Sequence, residues 1–157
     1  MSHESSLMLV TGAGGFVGGQ LVRSLRDQGF AVRAMIRNES QRGELEALGA
    51  EVVVADLAEP ETLSKTVAGI HGIFHIAALF LQAGLPESEF FKVNAEGTRV
   101  LLEAARAAGV KRFIYCSTVG VLGDIENPPA DETAPFAPGD MYQRSKMEGE
   151  KVALEYF

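Results

Sequence analysis

Apolar runs of strand length alternate along this chain with segments whose apolar residues recur at helical spacing. Residues 7–10 (Leu-Met-Leu-Val) read as a short buried strand, and 16–25 as a helix that Gly29 stops. A second strand covers 31–36, and a short helix over 40–48 ends near Gly49. A third strand covers 51–55, followed by a helix over 60–67 with Pro60 in its first turn. A fourth strand spans 72–76, and a long helix over 87–108 stops at Gly109. A fifth strand spans 112–117, and a last helix begins at Met141 and runs to the end. Such alternation predicts an α/β fold, a doubly wound parallel sheet of about five strands with right-handed crossovers and helices on both faces. The connection over 123–140 is rich in proline and acid, and an ordered connection of that length is usually functional or mobile.

The first strand runs into Thr11-Gly12-Ala13-Gly14-Gly15-Phe16-Val17-Gly18. The glycines therefore sit where a strand turns into a helix. At a helix N-terminus the backbone N–H groups point outward and the dipole favours an anion, so a dinucleotide pyrophosphate fits there. Gly12 allows the tight turn, Gly15 lets backbone approach phosphate, and Gly18 lets helix and strand pack. This turn makes the fold Rossmann-type. The spacing is Gly-x-x-Gly-x-x-Gly, although Gly14 also supplies a Gly-x-Gly.

At 157 residues, 46% hydrophobic and 22% charged, the chain has the make-up of one globular domain, and with the glycine turn the expectation is one NAD(P)-binding domain over 1–157. A net charge of −7 argues against nucleic acid as a partner. No apolar run reaches the roughly 20 residues of a membrane span, and the N-terminus carries no secretory signal. The single cysteine, Cys116, excludes an internal disulfide and points to a cytoplasmic protein. It reads as buried and inert. No Cys/His spacing indicates a metal site; His75 reads as a packed strand residue. The pattern runs to the last residue without a helix stop. Five strands are read where such sheets usually have six, which predicts that this chain is a fragment or that its remainder is not included.

Candidate chemistry lies at the carboxyl ends of the strands, where ligands bind in such sheets. Arg37 follows the second strand where NAD-binding proteins carry an acid, which favours NADP; Glu39 keeps NAD open as the alternative. Asp56, followed by Leu57, either accepts from an adenine amino group or forms a turn. Ala77 and Ala78 are small enough to let a cofactor pass close to backbone. Ser117 and Thr118 end the fifth strand, where a hydroxyl would hydrogen-bond a reacting oxygen or satisfy local backbone. Tyr142 and Lys146 are one helical turn apart. A free tyrosine has a pKa of about 10, and bringing it near 7 takes roughly 4 kcal/mol. An adjacent ammonium lowers it by about 1–3. The pair is therefore a candidate general acid/base.

Glycine turn, hydroxyl after the fifth strand and Tyr142-x-x-x-Lys146 together resemble the extended short-chain dehydrogenase/reductases. That group includes the NAD-dependent epimerase/dehydratases and the dihydroflavonol-reductase and 3β-hydroxysteroid-dehydrogenase-like enzymes. The likeness also includes His75-Ile76-Ala77-Ala78 and Val93-Asn94-Ala95-Glu96-Gly97-Thr98. It implies Tyr142 as acid/base, Lys146 as the residue that holds the nicotinamide ribose and tunes Tyr142, and Thr118 rather than Ser117 as the catalytic hydroxyl. It implies that Gly12, Gly15, Phe16, Val17, Gly18, Asp56, Leu57, Ala77, Ala78 and Ser117 line the cofactor. It further implies a homodimer and a small-molecule substrate. Leu122 stands where many sugar-nucleotide epimerases carry tyrosine, which with Arg37 tilts toward the reductases. The expected activity is hydride transfer between NADP, or alternatively NAD, and a carbonyl or hydroxyl substrate. The alternatives are a nucleotide-sugar epimerase/dehydratase with tightly bound NAD and a non-catalytic dinucleotide-binding module.

Overall fold

The computed structural model describes residues 6–80, 82–126 and 128–156. Strands β1 (Leu7–Thr11), β2 (Ala31–Ile36), β3 (Glu51–Val54), β4 (Gly72–His75) and β5 (Arg112–Tyr115) form one sheet in the order β3-β2-β1-β4-β5. Every pairing is parallel. The α-helices are α1 (Phe16–Asp27), α2 (Arg42–Ala47), α3 (Pro60–Thr66), α4 (Glu87–Phe91), α5 (Gly97–Ala107) and α6 (Met141–Leu154). This is the doubly wound parallel sheet that the alternation predicts.

Two compact units share the chain. One comprises the chain up to Ala78 together with Val100–Cys116; the other comprises Leu79–Arg99 and the chain from Ser117 on. The first holds the sheet. Its central strand β1 is buried on both faces. Met8 and Val10 pack with Val22, Leu25, Val32, Ala34 and Leu45, and Leu9, on the opposite face by strand alternation, is fully buried as well. The edge strands β3 and β5 are only partly covered, with Val54 43% and Ile114 45% exposed. On β2, the Arg33 guanidinium bonds the Glu51 carboxylate of β3 at 2.9 Å and the carbonyls of Thr66 and Ala68 at 2.8 Å each.

Several boundaries differ from the sequence expectation, each for a local reason. The expected helix over 40–48 opens as a 3₁₀ turn, Glu39–Gln41, because the Asn38 side chain accepts from Ser40 N and tightens the start. Strands β4 and β5 stop at His75 and Tyr115, where their parallel register ends. The long helix is interrupted: between α4 and α5 lies a π-helical turn, Lys92–Glu96, that includes the buried Asn94. Asp140 caps α6 by accepting from Gln143 N at 2.7 Å. That helix ends at Leu154, short of the expected end at Phe157, because the chain leaves it through a C-cap at Glu155; Phe157 itself lies outside the described residues.

Gly18 is required by this packing. A Cβ there would lie 2.2 Å from the Gly12 carbonyl oxygen and 2.7 Å from its carbon. Gly15 differs, since a Cβ there would meet nothing nearer than the Gly12 oxygen at 3.4 Å. Gly18→Ala is therefore expected to lower stability by about 2–3 kcal/mol in urea unfolding, and Gly15→Ala by less than about 1 kcal/mol. Equal losses would contradict this assignment of roles.

Candidate functional site

In the first unit the chain leaves β1 at Thr11 and turns through the glycines into α1. Gly12 has φ +67°, and a Cβ on it would lie 2.8 Å from Ala77 N, so the turn lies directly against the end of β4. Thr11 fixes that approach. Its Oγ1 accepts from Ile76 N and Ala77 N, both at 3.1 Å, and lies 2.8 Å from His75 Nδ1. Two accepted bonds occupy the hydroxyl's lone pairs, so its proton goes to Nδ1 and the imidazole proton sits on Nε2. His75 is fully buried, a packed strand residue as expected.

The turn opens to solvent on the α1 side. Gly15 is exposed and forms the N-cap of α1 with no side-chain cap bond. Phe16 is 87% and Val17 55% exposed. The uncapped amides and the exposed apolar pair leave the N-terminus of α1 open, a setting whose dipole favours an anion. Of the other residues expected to line the cofactor, Ala77 and Ala78 are half-buried and the Leu57 side chain is buried. The Asp56 carboxylate accepts from Ala58 N at 2.9 Å, which is the turn-forming role weighed for it.

Arg37 is exposed at the end of β2 and makes no ion pair among the described residues. Glu39 is engaged. Its carboxylate pairs with Arg42, whose hydrogen bond holds it below the usual carboxylate range. Arg42 also pairs with Glu46 at 3.2 Å and donates to Val52 O at 3.1 Å.

The second unit carries the hydroxyl, phenol and ammonium groups. Tyr142 and Lys146 occupy successive turns of α6, Tyr142 half-buried and Lys146 only 2% exposed. The Tyr142 ring meets Phe80 edge-on at 4.9 Å. Thr118 caps a 3₁₀ turn, Val119–Leu122, its Oγ1 accepting from Gly120 N at 3.3 Å. That turn packs on α6 closely enough that a Cβ on Gly120 would lie 3.0 Å from the Gln143 side chain. Ser117, expected at the cofactor, donates its hydroxyl to the Glu150 carboxylate.

Beneath Tyr142 lies a buried polar clamp. Asn94 Oδ1 accepts from Leu79 N at 2.7 Å, and its Nδ2 donates to Leu79 O at 3.0 Å and to Ser145 Oγ at 2.9 Å. The Ser145 hydroxyl in turn donates a hydrogen bond to the Tyr142 carbonyl at 2.8 Å. The family likeness includes Asn94, but Ser145, Glu150 and Phe80 escaped the sequence reading. The available signal was a small polar residue at a helix-interior position, where such residues are disfavoured unless bonded.

Cys116 corrects an expectation: it is exposed, not buried, because β5 is an edge strand that ends one residue earlier. Among the described residues no cluster of His, Cys, Asp or Glu could hold a metal ion, and no helix is long and apolar enough to cross a membrane.

A parallel sheet with a glycine turn at β1 and a tyrosine–lysine pair one turn apart defines the extended short-chain dehydrogenase/reductase class. The chain belongs to the NAD dependent epimerase/dehydratase family, which it matches over residues 8–157. It is 37% identical to sterol demethylase protein B of Methylococcus capsulatus over 94% of its own length and 46% of the relative's. It is 38% identical to a 3-beta-hydroxysteroid dehydrogenase of Mycolicibacterium neoaurum over 94% and 42%. A short-chain dehydrogenase/reductase superfamily protein of Agrobacterium tumefaciens, solved with bound NAD, superposes with TM-score 0.84 at 36% identity, covering 94% of this chain and 44% of that one. The chain thus spans somewhat less than half the length of these relatives.

Asn94→Ala would strand the Leu79 amide, the Leu79 carbonyl and the Ser145 hydroxyl in a buried setting. It is expected to cost about 2–4 kcal/mol in urea unfolding. A loss below about 1 kcal/mol would show that the clamp contributes little.

Proposed function

We propose that this chain is the nucleotide-binding half of an NADP-dependent oxidoreductase acting on a carbonyl or secondary alcohol attached to an apolar ring. The observation that carries the reading is Tyr142 one turn from the buried Lys146, on a helix locked by Asn94 and Ser145. Tyr142 gives its phenolic proton to the substrate oxygen during reduction and takes it back during oxidation. Lys146 sits one helical turn from Tyr142, where it acts on the phenol and on the nucleotide ribose. Thr118 hydrogen-bonds the same substrate oxygen and orients it. A bound nicotinamide nucleotide would supply or accept the hydride.

Gly12, Gly15, Phe16, Val17 and Gly18 hold the pyrophosphate side, with Ala77 and Ala78 leaving room for the cofactor. Arg37 reads the 2′-phosphate, supported by its exposure and by the engagement of Glu39 with Arg42. The apolar ring is supported by Phe80 against Tyr142 and by the steroid dehydrogenase among the relatives. The family's description favours a second reading, an epimerase or dehydratase that holds NAD tightly and regenerates it. Net consumption of NADPH separates the two.

Fluorescence titration is expected to find NADPH bound more tightly than NADH. Arg37→Asp should weaken NADPH by about 10–100-fold and NADH by less than about 3-fold. Equal effects on both nucleotides would overturn the assignment of Arg37.

In the protein that carries this chain, Tyr142→Phe should lower turnover of a ring ketone by about 100-fold or more, with nucleotide affinity changed less than about 2-fold. Unchanged turnover would remove Tyr142 from the chemistry.

A further inference from the structure

The glycine turn carries one glycine more than its spacing needs. Gly12, Gly15 and Gly18 complete the fingerprint, and Gly14 has no part in it. The structure gives Gly14 a different partner. Gln41, the last residue of the 3₁₀ turn after β2, donates from Nε2 to the Gly14 carbonyl at 2.9 Å in a partly buried setting. A Cβ on Gly14 would lie 2.1 Å from Gln41 Oε1 and 2.2 Å from Cδ. The side-chain amide therefore rests on Gly14, in the space that any larger residue there would fill. Gly14, Gly15 and Gln41 also border a cleft of about 270 Å³ between α1 and α2, with Gln20, Arg23 and Glu44 on its walls.

The bond closes a short loop. From Arg37 at the end of β2, Asn38 caps the 3₁₀ turn and Gln41 ties the end of that turn back to the glycines. Arg42, the next residue, is anchored by Glu39, Glu46 and the Val52 carbonyl. Both ends of the segment are thus fixed, one by β2 and one by Gln41 and Arg42. Arg37 is the exposed cation within it.

We propose that Gln41 is a positioning residue for nucleotide recognition. Seated on Gly14, its amide holds the 37–41 segment against the glycine turn and sets the reach of Arg37, so NADP preference depends on Gln41 and Gly14 together. The proposal rests on the reading of Arg37 as the 2′-phosphate ligand. Gly14 is then the seat of Gln41 rather than a phosphate glycine.

A double-mutant cycle in nucleotide binding tests it. Gly14→Ala and Gln41→Ala break the same hydrogen bond, one by filling the seat and one by removing the occupant. Each should weaken NADPH by about 3–10-fold while shifting NADH by less than about 2-fold, and the double variant should be no weaker than either single one. That loss of NADPH-over-NADH selectivity is the readout that a purely structural bond would not produce. Additive losses, or equal weakening of both nucleotides, would overturn the proposal while leaving the reading of Arg37 intact. A wild-type chain that prefers NADH or binds neither nucleotide would overturn the reading of Arg37, and with it this role. Urea unfolding of the same four proteins checks the seat separately. Gly14→Ala should lower the midpoint in the wild-type background and leave it unchanged beside Gln41→Ala; equal shifts in both would show that Gln41 does not occupy the seat.

Discussion

The close approach of the glycine turn to the end of β4 is the constraint on which the first unit depends. Backbone passes so near backbone that a Cβ at position 12 would collide with Ala77. The neighbouring Thr11 hydroxyl satisfies the amides there, accepting from two successive N–H groups and donating to a buried imidazole. One side chain thereby ends β1, continues the line of β4 past its last ladder bond, and fixes the tautomer of His75. A buried amide without a partner costs about 1–3 kcal/mol, so the geometry has little freedom to drift. The crevice at the carboxyl ends of β1 and β4 is shaped before any ligand arrives.

The second unit solves a similar problem with an amide side chain. A helix that must present Tyr142 and Lys146 in fixed positions needs its rotation defined, and apolar packing alone allows some slip. Asn94 removes that freedom because its oxygen and nitrogen both bond to Leu79 while the nitrogen also reaches Ser145. The π-helical turn brings Asn94 inside: the wider turn rotates the following residues relative to a regular helix. In the same unit Phe80 meets the Tyr142 ring edge-on and Ser117 donates to Glu150. Polar contacts define orientation here, and apolar contacts supply the bulk of the burial.

Glycine serves three distinct physical purposes within seven residues. At Gly12 and Gly18 the neighbouring atoms are the chain's own backbone, and a Cβ would collide with them. At Gly14 the neighbour is a flexible side chain, which would be displaced rather than crushed. At Gly15 the nearest atom to a Cβ would be the Gly12 oxygen at 3.4 Å, an ordinary contact, so the fold itself does not demand glycine there. The motif assigns roles to Gly12, Gly15 and Gly18 but none to Gly14, whose partner Gln41 lies 27 residues on.

The sequence by itself determined the alternation of strands and helices and the parallel sheet, and it made the family legible as a resemblance carried by its motifs. The alternation and the sheet follow from period and spacing written along the chain. Tyr142 and Lys146 were legible for the same reason, since four residues in a helix is one turn. What the sequence left open were partnerships between residues far apart in the chain. Thr11 and His75 are 64 residues apart, and Asn94 and Ser145 are 51. The engagement of Glu39 by Arg42, which leaves Arg37 as the exposed cation, is local, yet it depends on the 3₁₀ turn that the helical reading passed over. The exposure of Cys116 likewise followed from β5 lying at an edge, which strand-like residues do not reveal. Tertiary structure decided these because hydrogen-bond partners are chosen by distance in space, and composition and periodicity carry no record of it.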